Sequence, residues 1–173
     1  MAKRAGDKVS QDLAGKPVSA SRTEMTEVVL PQDANVFGNI LGGRVMHLVD
    51  IAAAITAHRH CRSMAVTASV DHIDFRNPIR VGEVIMLKAS LNRAFHTSME
   101  VGVKVWVENY RAEQKRHVSS AYLTFVAIDA AGNRVPIPQV IPETEDEKRR
   151  YEDAARRREI RRLESERRKA GRP

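Results

Sequence analysis

The sequence lacks the features that define three classes of protein. It has one cysteine, Cys61, among 173 residues, so it forms neither an internal disulfide nor a paired-cysteine zinc site. Its longest strongly apolar stretch, residues 45–57, is interrupted by His47 and Asp50 and is shorter than the roughly 20 residues that span a bilayer. The N-terminal residues contain no apolar run of the kind found in a secretory signal peptide. We therefore expect a cytoplasmic protein without a membrane span.

Positive charge is concentrated at the two ends of the chain. The net charge of +7 divides into +3 for residues 1–22, +1 for residues 23–142 and +3 for residues 143–173. The nearly neutral centre lacks the broad cationic face of a nucleic-acid-binding domain, and the length fits one domain. We expect residues 1–22 to form a flexible extension and residues 23–142 the folded domain. Residues 143–173 should form a solvated helix that frays toward its end.

The spacing of apolar residues changes along the chain from helical to alternating. Residues 43 to about 58 repeat apolar side chains at spacings of three and four, which predicts a helix. In Ser98–Asn109, Met99 and four valines alternate with more polar residues, as in a strand with one buried face. Strands are predicted at residues 24–30, 64–75, 84–95, 98–109 and 118–128.

The order of these elements predicts the fold. The last four strands have connections too short for helical crossovers, so they must be antiparallel neighbours. A single largely apolar helix needs cover on most sides, and a curved sheet wrapped around it provides that cover. This α+β arrangement is the hotdog fold. Because sheet edges need protection, a homodimer is the smallest assembly that we expect.

Two features of the first helix point to chemistry. Gly42 and Gly43 stand at the helix start, where backbone N–H groups have no intrahelical partner and can stabilise an oxyanion. Asp50 lies mid-helix among apolar residues, where a carboxylate has poor propensity and a desolvation penalty. The helical neighbours of Asp50 are mostly small: Gly43, Met46, Ala53, Ala54 and Ala57. Either a substrate in the space that they leave or a structural hydrogen bond would compensate this carboxylate.

Three motifs in order carry a family resemblance. The pattern N-x-x-G-x-x-x-G-G-x-x-M-x-x-x-D runs from Asn35 to Asp50, followed by VDHIDFRNPIRVGEV and HTSMEVGVKVWVEN. Together they resemble the cytosolic acyl-CoA thioesterase family, over residues 23 to about 158. The resemblance implies hydrolysis of acyl-CoA to a free fatty acid and CoA. It also implies that Asn35 and Asp50 form the catalytic pair across a subunit interface, in a hexamer built as a trimer of dimers.

The implied mechanism is acyl transfer to water. Asp50 would act as general base, with Asn35 orienting the water or the carbonyl and Gly42 and Gly43 stabilising the oxyanion. Direct attack by Asp50, giving a mixed anhydride, is the other route. A thiol has a pKa of about 8.5, so it leaves with little help from an acid. No cofactor is expected, since CoA is part of the substrate and product.

Several residues are candidates for binding CoA. Its phosphates favour basic side chains, and Arg93, Arg156 and Arg157 are candidates, although each is equally well explained as a surface charge. Thr97 and Ser98 are assigned to CoA by the resemblance, since this loop contacts CoA in family members.

A metal site and three rival functions are the alternatives to a thioesterase without a metal. His58 and His60 face different directions on a helix and lack partners for a zinc set, so we predict no metal. The main rival is a noncatalytic hotdog module that binds acyl-CoA as a regulator, because fold does not determine function. A nucleic-acid or membrane-surface adaptor acting through the basic tail and a His-centred dehydratase are the others.

Overall fold

The computed structural model describes residues 13–71, 73–75, 77–109 and 114–171. Its elements are β1 (Lys16–Pro17), β2 (Thr23–Val28), α1 (Gly42–Cys61), β3 (Met64–Val70), β4 (Val84–Ala94), β5 (Ser98–Asn109), β6 (Gln114–Ile128), β7 (Val140–Ile141) and α2 (Glu145–Ala170). Short 3-10 helices occupy Val18–Ala20 and Pro31–Asp33. No helix of these residues is both long and apolar enough to cross a membrane.

Five strands form one antiparallel sheet in the order β2-β4-β5-β6-β3. Helix α1 contacts every strand of this sheet. The face toward α1 is apolar: on β5, for example, Val101, Val103, Val105 and Val107 are all buried. The prediction of an antiparallel sheet wrapped around one helix is therefore confirmed, and β5 has the predicted bounds. We call the face toward α1 the inner face and the opposite one the outer face.

Some element bounds differ from the predicted ones. Strand β3 ends at Val70 rather than at residue 75, and the N–H of the next residue, Asp71, still donates to the carbonyl of Tyr122. Strand β6 begins at Gln114 rather than at residue 118, since it remains paired with β5 as far as Asn109. The first residues of β6 are polar, so this part of the strand lacks the apolar alternation that predicts a strand.

The structure describes only part of the predicted flexible extension, residues 1–22. Residues 1–12 lie outside the described residues. The prediction is wrong for residues 16–21, because β1 pairs in parallel with β7 through Lys16 and Pro17, and Val18 is buried. Two-residue strands have no detectable period, so this small sheet was not predictable from the pattern of apolar residues.

The charged tail forms a helix, but one face of its first half is packed against the sheet and is not solvated. A capping box starts α2, in which the Thr144 side chain accepts from the N–H of Glu147 and the Glu147 carboxylate accepts from the N–H of Thr144. Ala154 is fully buried, and Arg157 reaches Glu100 on the outer face. From Arg158 onward the helix is exposed except at Arg161.

A buried histidine joins the end of α1 to the small sheet. The Nε2 atom of His60 lies 2.9 Å from the carbonyl oxygen of Pro138, and Nζ of Lys16 donates to the carbonyl of His60 at 2.6 Å. Burial lowers the pKa of His60 from its ordinary value of 6.5, and nearby Lys16 lowers it further, against the hydrogen bond to Pro138. His60 is therefore folded into the protein in its neutral form.

We expect the free energy of unfolding to decrease as the pH falls below about 6.5. Below this pH the unfolded chain binds a proton on His60, whereas the folded chain keeps His60 neutral. This difference lowers the free energy of unfolding by at most about 1.4 kcal/mol per pH unit. Glutamine at position 60 keeps an N–H donor for Pro138 but does not titrate. Urea denaturation of His60→Gln between pH 7 and pH 5 should show a shallower loss than the unchanged protein. Parallel pH profiles for the two chains would contradict this assignment.

Candidate active site

Asn35 is held by a tight turn before α1. Its N–H donates to the carbonyl of Asn39 at 2.8 Å, and the N–H of Gly38 donates to the carbonyl of Asn35 at 2.9 Å. Gly38 has a φ of 73°, a conformation that favours glycine. The Oδ1 atom of Asn35 accepts from the N–H groups of Phe37 at 3.0 Å and Asn39 at 3.2 Å. Both bonds use the side-chain oxygen, so the Nδ2 group projects from the turn as a pure donor.

The glycine pair opens α1 as predicted. Leu41 is the N-cap, and its carbonyl accepts from the N–H groups of Arg44 and Val45. Gly42 and Gly43 are exposed, and no backbone hydrogen bond from their N–H groups is found within the described part of the chain. Arg44 anchors the start of α1, because it forms ion pairs with Glu27 and Asp33.

Asp50 accepts a hydrogen bond from a threonine that was not predicted from the sequence. The Oγ1 atom of Thr67 on β3 donates to Oδ1 of Asp50 at 2.8 Å. Asp50 is half-buried and Thr67 is exposed, so one carboxylate oxygen is held by this bond while the group stays near the surface. Threonine is common in any strand, which is why Thr67 did not stand out; its distinguishing feature is its place opposite Asp50, visible only in three dimensions.

These groups form two separate half-sites within one chain. The donor half comprises Asn35, Gly42 and Gly43, and the base half comprises Asp50 and Thr67. Asp50 follows Gly43 by seven positions in the helix, which is roughly 10 Å along the axis at 1.5 Å per residue. Reacting atoms must approach to about 3–3.5 Å. One thioester carbonyl therefore cannot use Asp50 and the glycine amides of the same helix.

Arg93 and Arg157 are engaged inside the protomer. Arg93 donates to the carbonyl of Tyr151 at 3.3 Å and lies over the Tyr151 ring, 4.0 Å from its centroid. Arg157 forms an ion pair of 2.6 Å with Glu100 and lies 3.7 Å from the centroid of Tyr122. Burial would lower the pKa of Arg157, but the hydrogen bond and charge of Glu100 outweigh it and raise that pKa. Both guanidinium groups hold α2 against the sheet.

A cationic groove lies beside these two arginines. It measures ≈ 1010 Å³ and runs between the second half of α2 and the outer face of β3 and β6, with Ser98 in its wall. Arg158 lies 4.0 Å from the centroid of Phe95. Arg158 and Arg168 have no ion-pair partner among residues 13–171 as far as these are described, so both are available to an anionic ligand.

The remaining predicted CoA contacts lie at the edge of this groove or outside it. Arg156 is exposed and pairs with Asp153 at 3.4 Å. The carbonyl of Thr97 accepts from the N–H of Ala127 at 3.0 Å, and its half-buried side chain precedes Ser98, the first residue of β5.

The two neighbouring histidines have different surroundings. His58 is exposed, whereas His60 is buried against Pro138. Where the structure describes the chain, it contains no group of three or more His, Cys, Asp or Glu side chains in position to hold a metal ion.

A curled antiparallel sheet around one helix, with an asparagine turn and glycine pair at the helix start, defines the hotdog thioesterase class. The family model described as "Thioesterase superfamily" matches residues 37–112. A Bacillus subtilis acyl-CoA thioester hydrolase is 40% identical over 127 residues, covering 73% of this chain and 74% of the relative. The chain therefore belongs to the thioesterase superfamily.

Mammalian relatives are longer than this chain. Human cytosolic acyl coenzyme A thioester hydrolase is 40% identical over 154 residues, which are 87% of this chain and 40% of that protein. Mouse acyl-coenzyme A thioesterase 11 is also 40% identical, over 25% of its length. The chain thus spans two fifths or less of these two proteins.

Solved structures resemble this chain in both fold and sequence. A structure titled as an apo-hexameric acyl-CoA thioesterase is 41% identical, with a TM-score of 0.86, and the match covers 88% of this chain and 98% of that one. A Staphylococcus aureus acyl-CoA hydrolase, solved with butyryl coenzyme A, coenzyme A and coenzyme A disulfide, is 37% identical with a TM-score of 0.81, covering 88% and 94%. Its variants include alanine replacements of one aspartate, one asparagine and one threonine.

Proposed function

We propose that this protein hydrolyses acyl-CoA thioesters to a free fatty acid and CoA. The observation that carries the proposal is the pair of half-sites, one presenting only donors and the other a carboxylate, each incomplete alone. Relatives named as acyl-CoA thioester hydrolases support the substrate class. The three residues replaced in the Staphylococcus aureus enzyme are spaced along its chain at the same intervals as Asn35, Asp50 and Thr67.

In the proposed mechanism, the base half of one protomer faces the donor half of its partner. Asp50 takes a proton from water, which attacks the thioester carbon, and Thr67 keeps the carboxylate oriented. The Nδ2 group of Asn35 donates to the water or to the carbonyl oxygen, while the amides of Gly42 and Gly43 stabilise the developing oxyanion. CoA leaves as a thiolate, and no cofactor is required. Attack by the Asp50 carboxylate itself is the alternative route.

The protomer surface supports an assembly of the two halves. Strand β3, which carries Thr67, is an edge of the sheet and exposes Met64, Val66 and Val70 at 44–50%. Val36 and Phe37, next to Asn35, are 94% and 84% exposed. Long apolar sheet edges and exposed apolar loops need a partner. We propose a dimer along β3, assembled as a trimer of dimers by analogy with the relative whose structure is hexameric.

The CoA moiety is proposed to bind in the cationic groove. Arg158 and Arg168 offer unpaired charge to its phosphates, and Ser98 lies in the groove wall. Thr97, next to Ser98, and Arg156 are proposed as further contacts. Arg93 and Arg157 support this surface by holding α2 in place, since their guanidinium groups are occupied by Tyr151 and Glu100. A cytoplasmic location is proposed as well, given that a human relative is named as cytosolic.

Complementation between two inactive chains tests the shared site. We expect Asn35→Ala and Asp50→Asn each to lose acyl-CoA hydrolysis, whereas a mixture unfolded and reassembled together should recover roughly a quarter of normal activity. Random pairing makes half of the dimers mixed, and one of the two equivalent sites of a mixed dimer is intact. Release of free thiol from butyryl-CoA measures the recovery. If the mixture stays as inactive as its components, the two halves do not meet across a dimer interface.

Removing only the hydroxyl of Thr67 tests the orienting role. Thr67→Val preserves shape and strand propensity but removes the hydrogen bond to Asp50, so we expect kcat to fall about tenfold with KM little changed. Thr26→Val, at an exposed position of β2 away from the groove, is the matched control and should keep normal kcat. Equal rates for the unchanged protein and Thr67→Val would remove Thr67 from the site.

A noncatalytic acyl-CoA-binding module is the second candidate. The same fold and groove serve binding alone, and it predicts tight acyl-CoA binding with no thiol release. Wild-type protein that releases no thiol from acyl-CoAs of any chain length would favour this candidate and reject the hydrolase.

A further inference from the structure

A second cavity lies on the outer face of the sheet, beside the first half of α2. Its volume is ≈ 430 Å³, within the range of about 300–1,000 Å³ that small-molecule sites occupy. Residues of β4, β5 and β6 line it together with Arg150 of α2. Asp50 lies on α1, against the opposite face of the sheet, so this cavity is not part of the proposed catalytic site.

Basic side chains outnumber acidic ones in the lining of the cavity. Lys88 on β4 stands directly opposite Lys104 on β5, and like charges in such a cross-strand pair are destabilising. Lys88 is paired with Glu24 at 3.3 Å. Lys104, Lys115 and Arg150 also line the cavity, and none of the three has an ion pair in the described part of the structure. Three cations without partners match a ligand that carries more than one negative charge.

A buried polar atom at the cavity also lacks a partner. Asn92 is 3% exposed, and its Nδ2 group donates to Oε1 of Glu100 at 3.0 Å. Its Oδ1 atom accepts no hydrogen bond from any described group. Buried oxygen acceptors nearly always accept a hydrogen bond. We therefore expect Oδ1 of Asn92 to accept one from an O–H or N–H group of a bound molecule.

The backbone is shaped to place Asn92 there. The register of β4 against β5 shifts between Leu91 and Arg93, which makes Asn92 the extra residue of a β-bulge. Bulges often redirect a side chain beside a functional site. Opposite it, Gly102 leaves room for the amide, because a Cβ at that position would lie 2.7 Å from Nδ2 of Asn92. Half-buried Trp106 and Tyr122 complete the wall with aromatic surface.

We propose that this cavity binds a small phosphorylated molecule. Its phosphate meets Lys104, Lys115 and Arg150, and its neutral part donates a hydrogen bond to Oδ1 of Asn92. A phosphate ester carries about −1.5 to −2 charge at neutral pH, which fits three cations better than a single carboxylate does. The proposal stands whether or not the protein is a thioesterase.

Calorimetric titration of the full-length protein tests the site. With glycerol 3-phosphate as the probe, we expect saturable binding to the unchanged chain and at least about tenfold weaker binding to the double variant Lys104→Gln/Lys115→Gln. Lys169→Gln, which removes an exposed charge at the far end of α2, should bind normally. Absence of binding to the unchanged chain, or equal affinity in the double variant, overturns the proposal. A change of oligomeric state in the double variant, without any phosphate binding, would assign the cavity to a contact between subunits.

Two further titrations define the ligand and the location. Methyl phosphate lacks the hydroxyl groups of glycerol 3-phosphate, so it should bind more weakly; equal affinity for both would reject the role of Asn92. The Asp50→Asn chain should bind glycerol 3-phosphate normally. Loss of binding in that variant would place the phosphate in the catalytic site and overturn the location, while loss of thiol release alone would concern only the proposed hydrolase.

Discussion

Replacing Asp50 with asparagine should lower kcat for acyl-CoA hydrolysis by about 10²–10⁴-fold, the usual contribution of a general base. Asparagine has the same shape and its Oδ1 still accepts from Thr67, so the fold and the orientation of the side chain are retained. Only the ability to take a proton or to attack the thioester is lost. KM should change little, because Asp50 is proposed to act in the chemical step and not in binding CoA.

The assay should follow thiol release from several acyl-CoAs, with protein of confirmed oligomeric state. Glu145→Gln is a suitable control, because it neutralises an exposed carboxylate on α2 that has no proposed role in the site. A rate within twofold of normal for Asp50→Asn on every substrate would assign the base to another group and leave Asp50 as a structural aspartate. Trapping of an acyl group on Asp50 by mass spectrometry would instead favour the anhydride route.

Replacing Glu100 with glutamine should destabilise the protein by about 2–3 kcal/mol. Glu100 is fully buried, and it forms ion pairs with Arg157 at 2.6 Å and Arg161 at 3.3 Å. Removing one charge of a fully buried pair costs about 3–5 kcal/mol. Both guanidinium groups are 22% exposed, so solvent offsets part of this cost. We also expect α2 to exchange its amide hydrogens faster in Glu100→Gln.

Urea denaturation at a fixed protomer concentration measures this loss, since assembly shifts apparent stability. Glu159→Gln makes the same chemical change on the exposed side of α2, where Glu159 pairs with Arg162. Exposed pairs contribute little, so this control should unfold like the unchanged chain. Identical midpoints for Glu100→Gln and Glu159→Gln would show that the buried cluster does not anchor the helix.

Alternation and periodicity predicted the parts of the fold that bury one face. The valines of β5 required a half-buried strand, and the strand has the predicted bounds. The same alternation concealed Glu100, because a polar residue on the outer face was expected to meet solvent. Only the docking of α2 on that face makes Glu100 buried, and this docking depends on arginines that the sequence pattern assigned to water or to CoA.

The candidate site was predictable where a residue conflicted with its surroundings. Asp50 stood out because a carboxylate is costly within an apolar helix, and Gly42 and Gly43 because they begin it. Thr67 conflicts with nothing in a strand, so its contact with Asp50 emerged only from the fold. The division into two half-sites was expected only from the family resemblance, which implies that Asn35 and Asp50 act across a subunit interface; apolar periodicity alone did not predict it.

The turn that holds Asn35 constrains which residues this position tolerates. Its side-chain oxygen accepts the two N–H groups that shape the loop, while its amide nitrogen is the proposed donor to the substrate, so two demands fall on a single side chain. Aspartate would meet the first demand and fail the second, because it accepts from the same N–H groups but donates nothing. A relative with aspartate at this position would keep the loop while losing the donor, which is a short evolutionary route from a hydrolase to a binding protein.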